Sequence, residues 1–193
     1  MVFFNCNTRM IMKFYNFTII CLLAIFISCS SHQKTMEASA KKEQLKEFIT
    51  KKQFEIVSNF AIPRASAAYS QVVNSGLLGV GNSSNTVNLS GNSNYLRMHG
   101  DSISIELPFF GDRQFGGGYG ADSGISYDGL YTDYKETYDS DKESYTLSFQ
   151  TSKATDNLQF TINMYASLRT TIFMNSTNRS SISYDGHVGK LPK

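Results

Sequence analysis

Three hydrophobic patterns follow one another along the chain. The first is an apolar run from Phe14 to Ile27, interrupted only by Tyr15, Asn16 and Thr18. The second lies between Glu37 and Lys52, where Ala38, Leu45, Phe48 and Ile49 recur at helical spacing among charged residues, predicting one amphipathic helix. The third has period two. Phe54, Ile56, Ser58, Phe60 and Ile62 lie on one side until Pro63 ends the run, which predicts a strand whose one face carries those five side chains.

Alternation returns after a turn-rich region, residues 64–94, in which one short strand near Thr86–Ser90 is expected. Tyr95–Met98 and Ser102–Leu107 flank His99-Gly100-Asp101 and read as a hairpin. Further strands are expected at 124–127, 130–137, 144–151, 158–165, 170–175 and 180–184. Turn signals stand between them at Asp128-Gly129, Ser140-Asp141-Lys142, Thr155-Asp156-Asn157 and Asp185-Gly186. Ile125-Ser-Tyr-Asp-Gly129 recurs identically as Ile182-Ser-Tyr-Asp-Gly186, and both copies read as strand ends entering an Asp-Gly turn. The pattern predicts an all-β domain, an antiparallel β-barrel or β-sandwich of about 8–10 short strands with one N-terminal amphipathic helix.

The first apolar run has a different meaning. It follows Lys13, is shorter than the roughly 20 residues a spanning helix needs, and ends in Ser28-Cys29. A basic residue, a short apolar stretch and a small residue before cysteine predict a lipoprotein signal peptide over residues 1–28, cleaved before a lipidated Cys29. Translation from Met10 or Met12 would open an ordinary signal and leave the same chain after cleavage. Residues 29–36 then form the lipidated cysteine and a polar tether, and 37–193 a single all-β domain.

Composition narrows the function classes. The 18 basic and 16 acidic side chains include Arg9 and Lys13 of the leader, so the remainder is electrically balanced, which argues against nucleic acid as a partner. Cys6 and Cys21 lie in the leader and Cys29 at its end, leaving the domain without a disulfide, a cysteine nucleophile or a thiolate metal site.

Several segments together resemble a known family. They are Leu107-Pro-Phe-Phe-Gly111, Gly116-Gly-Gly-Tyr-Gly120, Gly124-Ile-Ser-Tyr-Asp128 and Asn178-Arg-Ser-Ser-Ile-Ser-Tyr-Asp-Gly186, with Lys51-Lys-Gln-Phe54, Ala61-Ile-Pro63 and Gly100-Asp-Ser102 upstream. Their order is similar to that of the Bacteroidetes lipoprotein family catalogued as the domain of unknown function numbered 4251. The resemblance implies an envelope lipoprotein and supplies no activity. Among such lipoproteins an acidic cluster after the lipidated cysteine favours surface display. Ser30–Met36 has none, which points to the periplasmic face.

Chemistry-bearing residues are few. His99 with Asp101, and Asp185 with His187, are each two apart and could offer four zinc ligands if their turns met. The simpler reading is two turns whose glycine and aspartate serve the backbone. Asp139, Asp141 and Glu143 alternate as oxygen ligands in a calcium loop do, but the required glycine is missing and Lys142 intervenes, so a solvated hairpin tip is expected. Gly116–Gly120 is followed by neither a Lys-Ser pair nor a predicted helix, so no phosphate cradle is expected. No Gly-x-Ser-x-Gly elbow occurs, and Asp122 and Asp128 have no defined separation. No cofactor is called for. The expected role is a non-catalytic binding or scaffold module, with Phe109, Phe110, Arg113, Phe115 and Tyr119 in the binding loop. Its partners would be the membrane, through the anchor, and an envelope protein. A lipocalin-like carrier of a small apolar ligand is the alternative, and metal-dependent hydrolysis a distant one.

Overall fold

In the computed structural model, which describes residues 30–64, 70–71, 75, 82–83, 85–112, 124–153 and 156–192 (side chains of 30–35 and 153 excepted), the helical spacing becomes α1, Ser30–Lys51. Residues 1–29, which hold the expected leader and Cys29, lie outside the described residues. Helix α1 begins seven residues before the expected Glu37 and crosses between two compact units, Met1–Ala40 and Lys41–Lys193. In the first unit Met36–Ala40, including Ala38, are exposed. The barrel belongs to the second.

The period-two segments form β1 (Gln53–Pro63), β2 (Val87–Asn88), β3 (Tyr95–His99), β4 (Ser102–Leu107), β5 (Ile125–Leu130), β6 (Thr132–Asp139), β7 (Ser144–Lys153), β8 (Asp156–Tyr165), β9 (Arg169–Ser176) and β10 (Ile182–Gly189). Apart from β2, which pairs with β1, they make one sheet in the order β5-β4-β3-β1-β10-β9-β8-β7-β6, with every neighbouring pair antiparallel. The expected barrel-or-sandwich is thus a nearly closed barrel.

Strand direction explains its closure. Alternating around the sheet from β1, both β5 and β6 run the same way, and only Tyr131 separates them. They are two halves of one strand that pairs with β4 before the bend and β7 after it. The bend has a local cause. Gly129 has φ +153, a conformation that L side chains rarely adopt, Asp133 has φ +55, and the β6–β7 register slips between Thr132 and Lys135. Tyr131 is fixed at the corner: its ring lies 5.5 Å from that of Phe149, and its hydroxyl donates to the Gly100 carbonyl at 2.7 Å. The nine strands act as eight staves.

An eight-stave barrel has an interior just wide enough for side chains to fill. Here Phe54, Ile56, Leu96, Met98, Phe149, Phe160, Ile162 and Met174 are all at most 1% exposed. Burying each such side chain is worth about 1.5–3 kcal/mol. The segment of α1 after Ala40 adds Leu45, Phe48 and Ile49 to the same cluster. Lys42 Nζ donates to Glu143 Oε1 at 2.5 Å at the β6–β7 tip, and the Lys52 carbonyl accepts from the Gly100 amide at 2.8 Å in the β3–β4 turn. The helix therefore reaches about 15 Å across one end of the barrel, between two rim turns. The Lys42 pair is half exposed and contributes little; the three buried apolar residues hold the helix down.

Two departures from simple alternation occur in β1 and its neighbours. An extra residue, Asn59, sits between the Ser58↔Gly186 and Phe60↔Asp185 pairs. This bulge reverses the phase, so Phe60 is 42% exposed and Ala61 is buried, contrary to the expectation that Phe60 and Ile62 continue the face of Phe54. The backbone freed beside it is satisfied by buried Asn94, whose Oδ1 accepts from the Ser58 amide at 2.8 Å and whose Nδ2 donates to the Ser58 carbonyl at 3.0 Å. Leaving such buried groups unpaired would cost about 1–3 kcal/mol each.

The repeated pentapeptide is also corrected. Neither Asp128-Gly129 nor Asp185-Gly186 is a turn; β5 and β10 run through them. Gly129 serves the bend, and Gly186 lets β1 approach at its bulge, since a Cβ there would overlap the Val57 carbonyl oxygen and lie 2.7 Å from Ser58 Cα. The His99-Gly100-Asp101 hairpin forms as expected, with Gly100 at φ +64.

Gly186→Ala should therefore lose about 1–3 kcal/mol of stability through overpacking. Gly189→Ala, where nothing lies within 4 Å, should change it little. Urea unfolding of the two variants checks this; equal midpoints would contradict the bulge account.

Candidate functional site

The barrel end opposite α1 carries the connections after β1, β4, β7 and β9, and three of the segments singled out in the sequence meet there. Leu107-Pro-Phe-Phe-Gly111 leaves β4, Gly124-Ile-Ser-Tyr-Asp128 enters β5, and Asn178-Arg-Ser-Ser lies between β9 and β10. Arg179 joins them. Its Nε is 3.1 Å from Asp156 Oδ2 at the start of β8, and its Nη1 donates to the Gly124 carbonyl at 2.7 Å. Its guanidinium lies 5.5 Å from the centroid of the Phe109 ring. Both ionic side chains are mostly buried, at 18% and 17% exposure, so removing one leaves the other as an uncompensated charge.

Asp156 is held in turn. Its Oδ1 accepts from Ser176 Oγ at 2.5 Å, and Ser176 Oγ accepts from the Asn178 amide at 3.0 Å. Ser180 continues the join on the other side. Its amide donates to the Asp112 carbonyl at 2.9 Å, and its Oγ accepts from the Asp112 amide at 3.1 Å. Gly111 has no room for a side chain, because a Cβ would overlap Ser180 Oγ and sit 2.7 Å from the Phe109 ring. Below this layer Tyr184 points inward from β10 and donates to the Pro108 carbonyl at 2.8 Å. Burial pushes its phenol well above the ordinary tyrosine range, keeping it protonated as a donor. Arg179 and Ser180 thus tie Gly124 and Asp112, the two ends flanking residues 113–123, to the barrel.

Of the expected binding-loop residues, Phe109 and Phe110 are partly buried and pack against the core. Arg113, Phe115 and Tyr119 lie outside the described residues, as do Gly116–Gly120 and Asp122. The four zinc candidates are not brought together. His99 pairs with Gln53 and His187 with Val57 on opposite sides of β1, which separates them by about 13 Å along the strand and two strand spacings across it. Asp185 accepts from Thr171 Oγ1 at 2.8 Å, Asp101 is 3.7 Å from Lys52 Nζ, and His187 Nδ1 is 3.1 Å from Asn59 Oδ1. Among the described residues no three His, Cys, Asp or Glu side chains cluster as metal ligands.

Asp139, Asp141 and Glu143 form a solvated hairpin tip. Asp139 Oδ1 accepts from the amides of Lys142 and Asp141 at 3.1 and 3.0 Å, and these bonds, led by that from Lys142, hold its carboxyl below the usual range. Glu143 is paired with Lys42.

Sequence reading missed Arg179 and Asp156 as the organising pair. The available signal was their isolation: each is a charged residue beside long uncharged stretches, Asn157–Leu168 and Thr170–Asn178.

Comparison with curated proteins gives no match. Among solved structures, the crystal structure of a DUF4251 family protein from Bacteroides eggerthii is similar, with a TM-score of 0.55 at 15% identity, covering 78% of this chain and 88% of that one. At that identity the likeness shows the fold. The family model described as Domain of unknown function (DUF4251) matches residues 36–188, and the chain belongs to that family.

Proposed function

We propose that this chain is a non-catalytic binding or scaffold lipoprotein of the cell envelope, anchored through Cys29 and facing the periplasm, and that it works through the barrel end that carries Phe109 and Phe110. The observation that carries this reading is the Arg179 join. A mostly buried ion pair and paired backbone bonds hold the base of one long connection at a fixed place on a rigid barrel, which is how folds present binding loops. Arg113, Phe115 and Tyr119 would supply further contacts within that connection. A carrier of small apolar ligands needs its interior vacant, whereas Phe54, Phe149, Phe160 and Tyr184 occupy this one. The separation of His99 from His187 gives metal-dependent hydrolysis no support.

The anchor and the binding end are tested separately. Cys29→Ser should move the protein from the membrane fraction to the soluble periplasmic fraction; unchanged membrane association would contradict the anchor. For the binding end, envelope proteins recovered by chemical crosslinking and affinity capture should fall at least tenfold for Arg179→Lys and for Phe110→Ala, with both variants still folded by circular dichroism. Recovery equal to that of the unaltered chain in both would contradict it.

A further inference from the structure

The outer face of β7, β8 and β9 differs in chemistry from the rest of the surface. Alternation points Thr146, Ser148, Gln150 and Ser152 outward from β7, and Asn157, Gln159, Thr161, Asn163 and Tyr165 outward from β8. From β9 it points out Arg169, at the end nearer α1, and then Thr171, Phe173 and Asn175. Apart from Arg169, none of these positions is charged. A sheet face that is merely kept soluble ordinarily carries interspersed charges of both signs.

Register places three carboxamides side by side on this face. Gln150 is opposite Gln159, and Gln159 is opposite Asn175, so they form one row across three strands at a spacing of about 4.8 Å. All three residues are exposed, and among the described residues none of their side chains is hydrogen-bonded. The next row contains Phe173, opposite Thr161 and Ser183 and 43% exposed. Two open depressions adjoin the row. One, of about 310 Å³, is lined by Gln150, Asn157, Gln159, Asn175 and Thr177. The other, of about 320 Å³, lies over small Ser183 between Ile62 and Phe173, with Asn175 and Arg64 at its margin. Asn175 borders both.

We propose that this face binds a neutral carbohydrate chain, whose hydroxyls bond the Gln150–Gln159–Asn175 row while one sugar ring lies against Phe173. A carboxamide offers a donor and an acceptor in one plane, which matches neighbouring hydroxyls that each give and take a hydrogen bond. An exposed aromatic ring supplies the apolar contact that the C–H face of a sugar ring requires. The row itself is uncharged, and Arg64 is the one charged residue lining either depression, which favours a neutral ligand over an acidic one. Two depressions sharing Asn175 suit consecutive sugar units better than a single small molecule. This surface lies on the barrel wall and does not depend on the loop-end reading above.

The test is a microarray of neutral and acidic glycans probed with the purified full chain, followed by calorimetric titration with the best neutral oligosaccharide. Neutral oligosaccharide binding should weaken at least tenfold in Gln159→Ala and in Phe173→Ala. Both changes are on the exposed face, and thermal melting confirms that the variants fold. Three results would overturn the proposal: no binding to any neutral glycan, neutral binding that both variants retain, or binding confined to acidic glycans and abolished by salt.

Discussion

Closure of an antiparallel sheet is the constraint on which the rest of this structure depends. Strands in an antiparallel ring alternate in direction, so an odd number cannot close without one mismatched pair. The chain meets this by making β5 and β6 two halves of one bent strand, leaving eight staves. Gly129, Tyr131 and Asp133 form the bend, and Tyr131 secures it to the Gly100 turn and the Phe149 ring. The same corner receives the end of α1. Lys52 has φ +50, and its ammonium lies 4.2 Å from the centroid of the Tyr134 ring. Burial pushes the Tyr134 hydroxyl above its ordinary range, and its hydrogen bond to Glu136 pushes in the same direction. Helix end, hairpin turn and strand bend are thereby fixed at one place.

That arrangement divides labour between the two barrel ends. One is occupied by Leu45, Phe48 and Ile49 from α1 and by short turns. The other carries the long connection between β4 and β5, whose two ends are tied by Arg179 and Ser180. The fully buried Tyr184 hydroxyl links that layer to the barrel through Pro108, so the loop end rests on the core itself. A rigid base of this kind is what the proposed binding role requires, and the filled interior serves stability.

Much of the fold was legible because it is written in local chemistry. The alternation of Leu158, Phe160, Ile162 and Met164 gave β8, and Gly100 gave the β3–β4 turn. The misreadings share one cause. A bulge changes the phase of alternation without leaving a residue type that marks it, so simple alternation puts Phe60 on the wrong face. Asp-Gly is a turn signal in isolation, yet at 128–129 and 185–186 the glycines serve a bend and a close approach to another strand, which are tertiary demands. The four zinc candidates failed for a similar reason: spacing along a strand says nothing of the register that separates His99 from His187 across β1. The Arg179–Asp156 pair was hidden because its partners are distant in sequence.

The most direct test of the central claim, that the loop end is the working surface, is site-specific photo-crosslinking in intact cells. A photoreactive amino acid would replace Phe110 at the loop end or Tyr138 at the α1 end, both in the full chain. The account predicts discrete crosslinked products from position 110 and none from position 138. Products from position 138 alone, or the same products from both, would contradict it.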